Sequence, residues 1–154
     1  MKQFTSQIAT DYDQSKHLLC LGVSPETADM RYESWNSRTD GLGSWSTPSL
    51  YIGFNPENSS FTGTCTNMIA TPAWSLSRLI NLLPKYILIG GIIGEDDKKQ
   101  APAFLKLSVI PTIQFKCSYV CHKSRLHYET VGNTDVLAVC RMVEKLIKDG
   151  HLNN

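Results

Sequence analysis

The chain has 154 residues, of which 42% are apolar and 19% charged, with a formal net charge of +1. That length predicts one domain with a sizeable core, and scattered charge near zero excludes a global field that would steer the chain to nucleic acid or acidic lipid. With no apolar run of transmembrane length and a polar segment after Phe4, a soluble, cytoplasmic protein is the expectation.

Thr10 reads as a helix N-cap with Asp11 and Asp13 in the first turn, and Gly22 stops that helix. Ser24, Pro25 and Glu26 start a second helix ending near Tyr32, so 10–32 is expected to be a helical hairpin. Residues 33–70 are dominated by Ser, Thr, Asn, Gly and Pro, which predicts an irregular region with one brief strand at 50–54. Trp35, Trp45 and Tyr51 lie there, where aromatic side chains either pin a loop to the core or form a contact surface. Thr71 as cap, Pro72 at the first position and Pro84 as stop frame a deeply embedded helix over 71–84. A strand follows over 86–93, then a solvated turn at 95–100, then a further strand at 104–109 broken by Pro111.

From Ile113 the pattern alternates regularly. Ile113, Phe115, Cys117, Tyr119 and Cys121 share one face, while Gln114, Lys116, Ser118 and His122 share the other. A turn at Ser124 and Arg125 pairs Cys121 with Tyr128 and His122 with His127, gathering the apolar positions on one side. Gly132 ends the second strand, and Asn133 or Thr134 caps a last helix over 134–149. Val136, Val139, Cys140, Val143, Leu146 and Ile147 form its apolar stripe, which should cover the Phe115, Cys117, Tyr119 and Tyr128 face. The expected fold is therefore α+β: an N-terminal helical hairpin, an antiparallel sheet of three to five strands, and helices 71–84 and 134–149 on one face. Within this single domain, 71–150 reads as an α-β-β-β-α unit.

Five cysteines without an export signal read as reduced thiols acting as small hydrophobes. Cys117, Cys121, His122 and His127 form the tightest cluster of ligand-type side chains. Strand alternation sends the thiols and imidazoles to opposite faces, so neither a zinc site nor a Cys–His nucleophile is expected. Asp96 and Asp97 sit in a solvated turn, and the glycines between Ile89 and Gly94 lack the Lys-Ser/Thr of a phosphate loop. No catalytic residue, metal or other cofactor is expected, and neither is a membrane contact. What remains is surface chemistry. Trp35, Trp45 and Tyr51 are candidate contacts to a protein partner, a second copy of the chain included. Lys116, His122, Lys123, Arg125 and His127, on the outer sheet face, are the candidate nucleic-acid contacts of a second reading. A third reading is a small enzyme with a pocket near 33–70.

The α-β-β-β-α order is that of double-stranded-RNA-binding domains, but the lysines those domains carry at the start of the last helix are replaced here by Asn133, Thr134, Asp135 and Val136. Three strings resemble a known family: Ala9-Thr10-Asp11-Tyr12-Asp13-Gln14-Ser15 with Leu18-Leu19, Gly22 to Met30 with its Thr27-Ala28-Asp29-Met30, and Pro72-Ala73-Trp74-Ser75-Leu76-Ser77-Arg78-Leu79. They are similar to an uncharacterised protein family of Bacteroides-type gut bacteria and their phages and mobile elements. The start of the last helix, from Gly132 to Ala138, is also similar to the strand-to-helix junction of small antitoxins of the HicB class, without their DNA-binding segment. The first resemblance implies a genomic setting and a compartment, carries no catalytic residue, and favours a non-enzymatic accessory protein acting through protein contacts.

Overall fold

A computed structural model describes residues 7–38, 42–53, 68–89, 101–110, 114–121 and 128–152. These residues form an α+β fold with two antiparallel sheets, one of three strands and one of four. The chain divides into two compact parts, Ile8–Arg78, and Leu79–Asn153 together with Met1–Gln7.

In the first part, α1 (Tyr12–Cys20) is the expected N-terminal helix, but its cap is Asp11 rather than Thr10. Asp11 accepts from the Gln14 amide at 2.8 Å, and the Gln14 side chain accepts from the Asp11 amide at 3.0 Å, a reciprocal capping box. The expected second helix does not form. A 3-10 turn at Pro25–Thr27, whose Ser24 makes no capping bond, is followed by strand β1 (Met30–Trp35). The reason lies in periodicity: Met30, Tyr32 and Ser34 alternate with Arg31, Glu33 and Trp35, and two further strands are available to pair with them. β1 is the central strand, flanked by β2 (Ser49–Ile52) and β3 (Met68–Ala73). The brief strand expected at 50–54 is present as β2, at Ser49–Ile52.

β3 also displaces the start of the helix expected over 71–84. Thr71 pairs with Tyr32 and Pro72 with Arg31. An edge strand tolerates Pro72 because one side of its backbone needs no donor. Helix α2 begins only at Leu76 and ends at Leu82, with the Ser75 hydroxyl accepting from the Arg78 amide at 3.3 Å. Ala9, Met30 and Ala73 form the small core of this sheet, with Tyr32 packed against it and stacked edge-on against Tyr12.

The second part is a meander of β4 (Tyr86–Ile89), β5 (Ala101–Ile110), β6 (Gln114–Val120) and β7 (Tyr128–Gly132), in that spatial order, followed by α3 (Asp135–Lys148). Four strands precede the last helix, so the three-strand order of the RNA-binding domains does not hold; Ile92 and Ile93 lie outside the described residues. The β6–β7 register pairs Tyr119 with Tyr128 and Cys117 with Thr130, two residues away from the expected one. An even shift leaves every side chain on its face; the expected turn residues, Ser124 and Arg125, lie outside the described residues.

α3 behaves as its stripe predicts and packs along β6 and β7. Thr134 caps it by accepting from the Leu137 amide at 3.1 Å. Val136, Val139, Cys140, Val143 and Leu146 are buried, joined by Ala138 and Met142. At about 1.5–3 kcal/mol per large apolar side chain, this face is the main stabilising contact of the second part. Tyr119 is fully buried in the sheet, and its hydroxyl donates to the Pro84 carbonyl at 2.6 Å. Thr130 donates to the Ala138 carbonyl at 2.7 Å. Gly132 is required where β7 meets α3: a Cβ there would stand 2.6 Å from the Ala138 nitrogen and 2.9 Å from the Thr134 oxygen.

Candidate binding surfaces

The three strings that carry the family resemblance meet in space around Trp74, which is fully buried. Its indole N–H donates to the Thr27 hydroxyl at 2.8 Å. Its amide donates to the Thr10 hydroxyl at 3.0 Å, while its carbonyl accepts from the Thr10 amide at 2.9 Å. Thr10 also bonds the Ser15 hydroxyl at 2.8 Å. Next door, Asp29 accepts twice from Ser75, from the amide at 2.9 Å and from the hydroxyl at 2.6 Å. Thr10, Thr27, Asp29, Trp74 and Ser75 thus satisfy one another. Such a closed network holds elements in register, and that is a structural role.

The partner candidates lie elsewhere on the same small sheet. Trp35 and Tyr51 share the face that carries Arg31 and Glu33, by strand alternation and the Arg31–Tyr51 pairing. Arg31 donates to Glu33 at 2.6 Å, bonds the Gly53 carbonyl, and lies over the Tyr51 ring at 5.6 Å. Trp45 bridges to Asn36, whose position alternates to the opposite face, so the two tryptophans are not brought together. All three aromatics are exposed by 42–45%; Leu50, Ile52 and Ile69, which sequence reading did not single out, are also exposed, on the face opposite Trp35 and Tyr51, where they pair with Tyr32, Met30 and Ser34. β2 is exposed along its whole length, a property that a Ser-Thr-rich flank does not announce.

On the four-stranded sheet, the face turned away from α3 carries Lys116. It is ion-paired with Glu129 across the strands. His122, Lys123, Arg125 and His127 lie outside the described residues. Sequence reading missed Tyr86 and Phe104, exposed neighbours on adjacent strands with ring centroids 6.3 Å apart. Lys106, Ser108, Lys116, Ser118, Val120, Ile110 and Glu129 line a shallow depression of about 250 Å³ on this face. The enzyme reading placed a pocket near 33–70, a region of which 39–41 and 54–67 lie outside the described residues.

Cys117 and Cys121 are buried on the α3 side, as the alternation requires. Burial pushes the Cys117 thiol up to about 12, so it holds its proton at neutral pH and is no nucleophile. Burial likewise raises the Tyr119 phenol, with nearby Cys117 adding to the effect. Among the described residues no three His, Cys, Asp or Glu side chains are grouped to hold a metal ion, and no helix is long and apolar enough to cross a membrane. No family model, curated protein or solved structure matches the chain.

Proposed function

We propose that the chain is a non-enzymatic accessory protein of a phage or mobile element, acting by holding a protein partner against the three-stranded sheet of Ile8–Arg78. The observation that carries this reading is the pair of exposed aromatics held on one face of that sheet with Arg31: Trp35, exposed by 45%, and Tyr51, exposed by 42%. Aromatic side chains left open together on one face mark contact sites. Trp, Tyr and Arg are also the side chains that most often dominate interface energetics, and Arg31 stands beside Tyr51 on the Trp35 face. The genomic setting is supported by the resemblance of the three strings now found around Trp74. A photo-crosslinking amino acid in place of Tyr51, in cells carrying the element, is expected to give a discrete protein adduct. The adduct should vanish with Trp35→Ala and survive Phe104→Ala; no adduct, or one indifferent to Trp35→Ala, refutes the reading.

One observation favours a second reading, single-stranded nucleic acid on the outer face of the four-stranded sheet. Tyr86 and Phe104 stand exposed side by side, with Lys106 next along β5. Base stacking on such rings is worth about 1–3 kcal/mol per base, and lysines supply the salt-dependent phosphate term. The Lys116–Glu129 pair weakens that term. A low-salt gel shift lost on Phe104→Ala supports this reading, and no shift removes it.

A further inference from the structure

β5 spans ten residues while β4 spans four, and the ladder between them stops at a proline. Tyr86 pairs with Phe104, so Lys85 stands opposite Leu105 and Pro84 opposite Lys106. The Leu105 amide reaches the Lys85 carbonyl at 3.5 Å, and Pro84 has no N–H to continue. From Lys106 to Ile110, the side of β5 away from β6 has no strand beside it among the described residues. Residues of an antiparallel strand direct their N–H and C=O groups alternately to one neighbour and the other. Because the Leu105 amide points toward β4, the amides and carbonyls of Leu107 and Val109 emerge on the open edge. Their side chains are 44% and 56% exposed, on the sheet face that α3 covers only over β6 and β7.

We infer that this edge is a self-association interface: two copies pair β5 antiparallel across a two-fold axis, perpendicular to the sheet at Ser108, and join their four-stranded sheets into one. Such an axis keeps each side chain on its own face, so the two residue numbers in every pair must have an even sum. Centred on Ser108, Leu107 of one copy pairs with Val109 of the other, Lys106 with Ile110, and Ser108 with Ser108. The Leu107 and Val109 backbones then exchange four N–H to C=O bonds, which uses every group exposed on the edge. Centring on Leu107 would set Val109 against Leu105, whose amide is already engaged. Centring on Val109 would set Leu107 against Pro111, past the strand end and without a donor. The side chains agree with the Ser108 register. Leu107 meets Val109 on one face, and on the other Lys106 meets Ile110 instead of a like charge, which would destabilise. β5 ends at Ile110, opposite Lys106, so the incoming strand stops before the place of Lys85 and leaves β4 undisturbed.

This interface is separate from the partner surface proposed above and stands or falls without it. Sedimentation equilibrium of the full chain is expected to show a dimer across the micromolar range, and a monomer throughout overturns the inference. Leu107→Lys with Val109→Lys should abolish the dimer without changing the circular dichroism, since both side chains are exposed in the single chain. Ile52→Lys, on the other sheet, should leave the dimer intact; loss of the dimer there, or its persistence with the paired lysines, also overturns it. The register has its own test. Facing Ser108 positions form a non-hydrogen-bonded pair with Cα atoms about 4.5 Å apart, inside the range of about 4.4–6.8 Å that a disulfide accepts. Mild oxidation should therefore link Ser108→Cys into a covalent dimer above the level of the unaltered chain. Leu107→Cys and Val109→Cys should not link; linkage at either of them in place of Ser108 refutes the interface.

Discussion

Asp29 offers the sharpest test of the network around Trp74. Asp29→Ala removes two acceptors from Ser75, one on its amide and one on its hydroxyl. Hydrogen bonds to charged groups contribute about 1.5–3 kcal/mol each, and the only partial burial of Asp29 pulls the sum toward the low end, about 2–4 kcal/mol. A part the size of Ile8–Arg78 has roughly 4–10 kcal/mol of stability in all, so the loss is a large fraction of the whole. Trp35, Trp45 and Trp74 are the three tryptophans of the chain and all fall within Ile8–Arg78. Their emission in a urea titration therefore reports this part, while far-ultraviolet circular dichroism reports both. Asp29→Asn keeps one carbonyl acceptor and should lose about half as much as Asp29→Ala. A double-mutant cycle with Ser75→Ala should show coupling of about 0.5–3 kcal/mol. An Asp29→Ala shift below about 0.5 kcal/mol, the scale of an ordinary surface change, refutes the claim that this network stabilises Ile8–Arg78.

Gly132→Ala should destabilise the second part by about 1–3 kcal/mol or more, because the new methyl group meets backbone atoms of the first turn of α3, which cannot swing aside. Circular dichroism melting should show the loss while tryptophan emission stays unchanged. Alkaline stability should follow Cys117. Its folded-state value, about 12, lies above the ordinary 9.0, so the unfolded chain loses this proton first. The contribution is therefore complete below pH 9 and declines between there and about pH 12, by about 1.4 kcal/mol per pH unit. Urea midpoints measured on either side of the ordinary thiol value should show the decline, and Cys117→Ala should make it shallower. Tyr119→Phe should cost about 0.5–1.5 kcal/mol through loss of the bond to Pro84, read from the same circular dichroism titration.

α3 and the face beneath it are legible in the sequence because local signals agree: Thr134 caps, the stripe repeats at helical spacing, and β6 alternates without a break. β1 and β3 are not legible, for a common reason. Ser24-Pro25-Glu26 and Thr71-Pro72 are sound helix starts taken alone, and strand pairing between segments about forty residues apart outweighs them. Thr10 misleads similarly. Its hydroxyl looks like a cap, yet Trp74, far along the chain, takes it, and Asp11 one residue later does the capping. The surface is less legible still. Exposure at Leu50, Ile52, Tyr86 and Phe104 depends on which faces the sheets leave uncovered, and periodicity at those positions does not distinguish a covered face from an open one.

The bonds that close on Trp74 span 47 and 64 residues of chain, and this has a consequence during biosynthesis. At a translation rate of about 5–20 residues per second, roughly 3–13 s separate the emergence of Thr10 from that of Trp74. Throughout that interval the nascent amino-terminal segment lacks β3 and cannot close its sheet. Leu18, Val23 and Met30, buried in the finished fold, then stand open to ribosome-associated chaperones until β3 and Trp74 arrive.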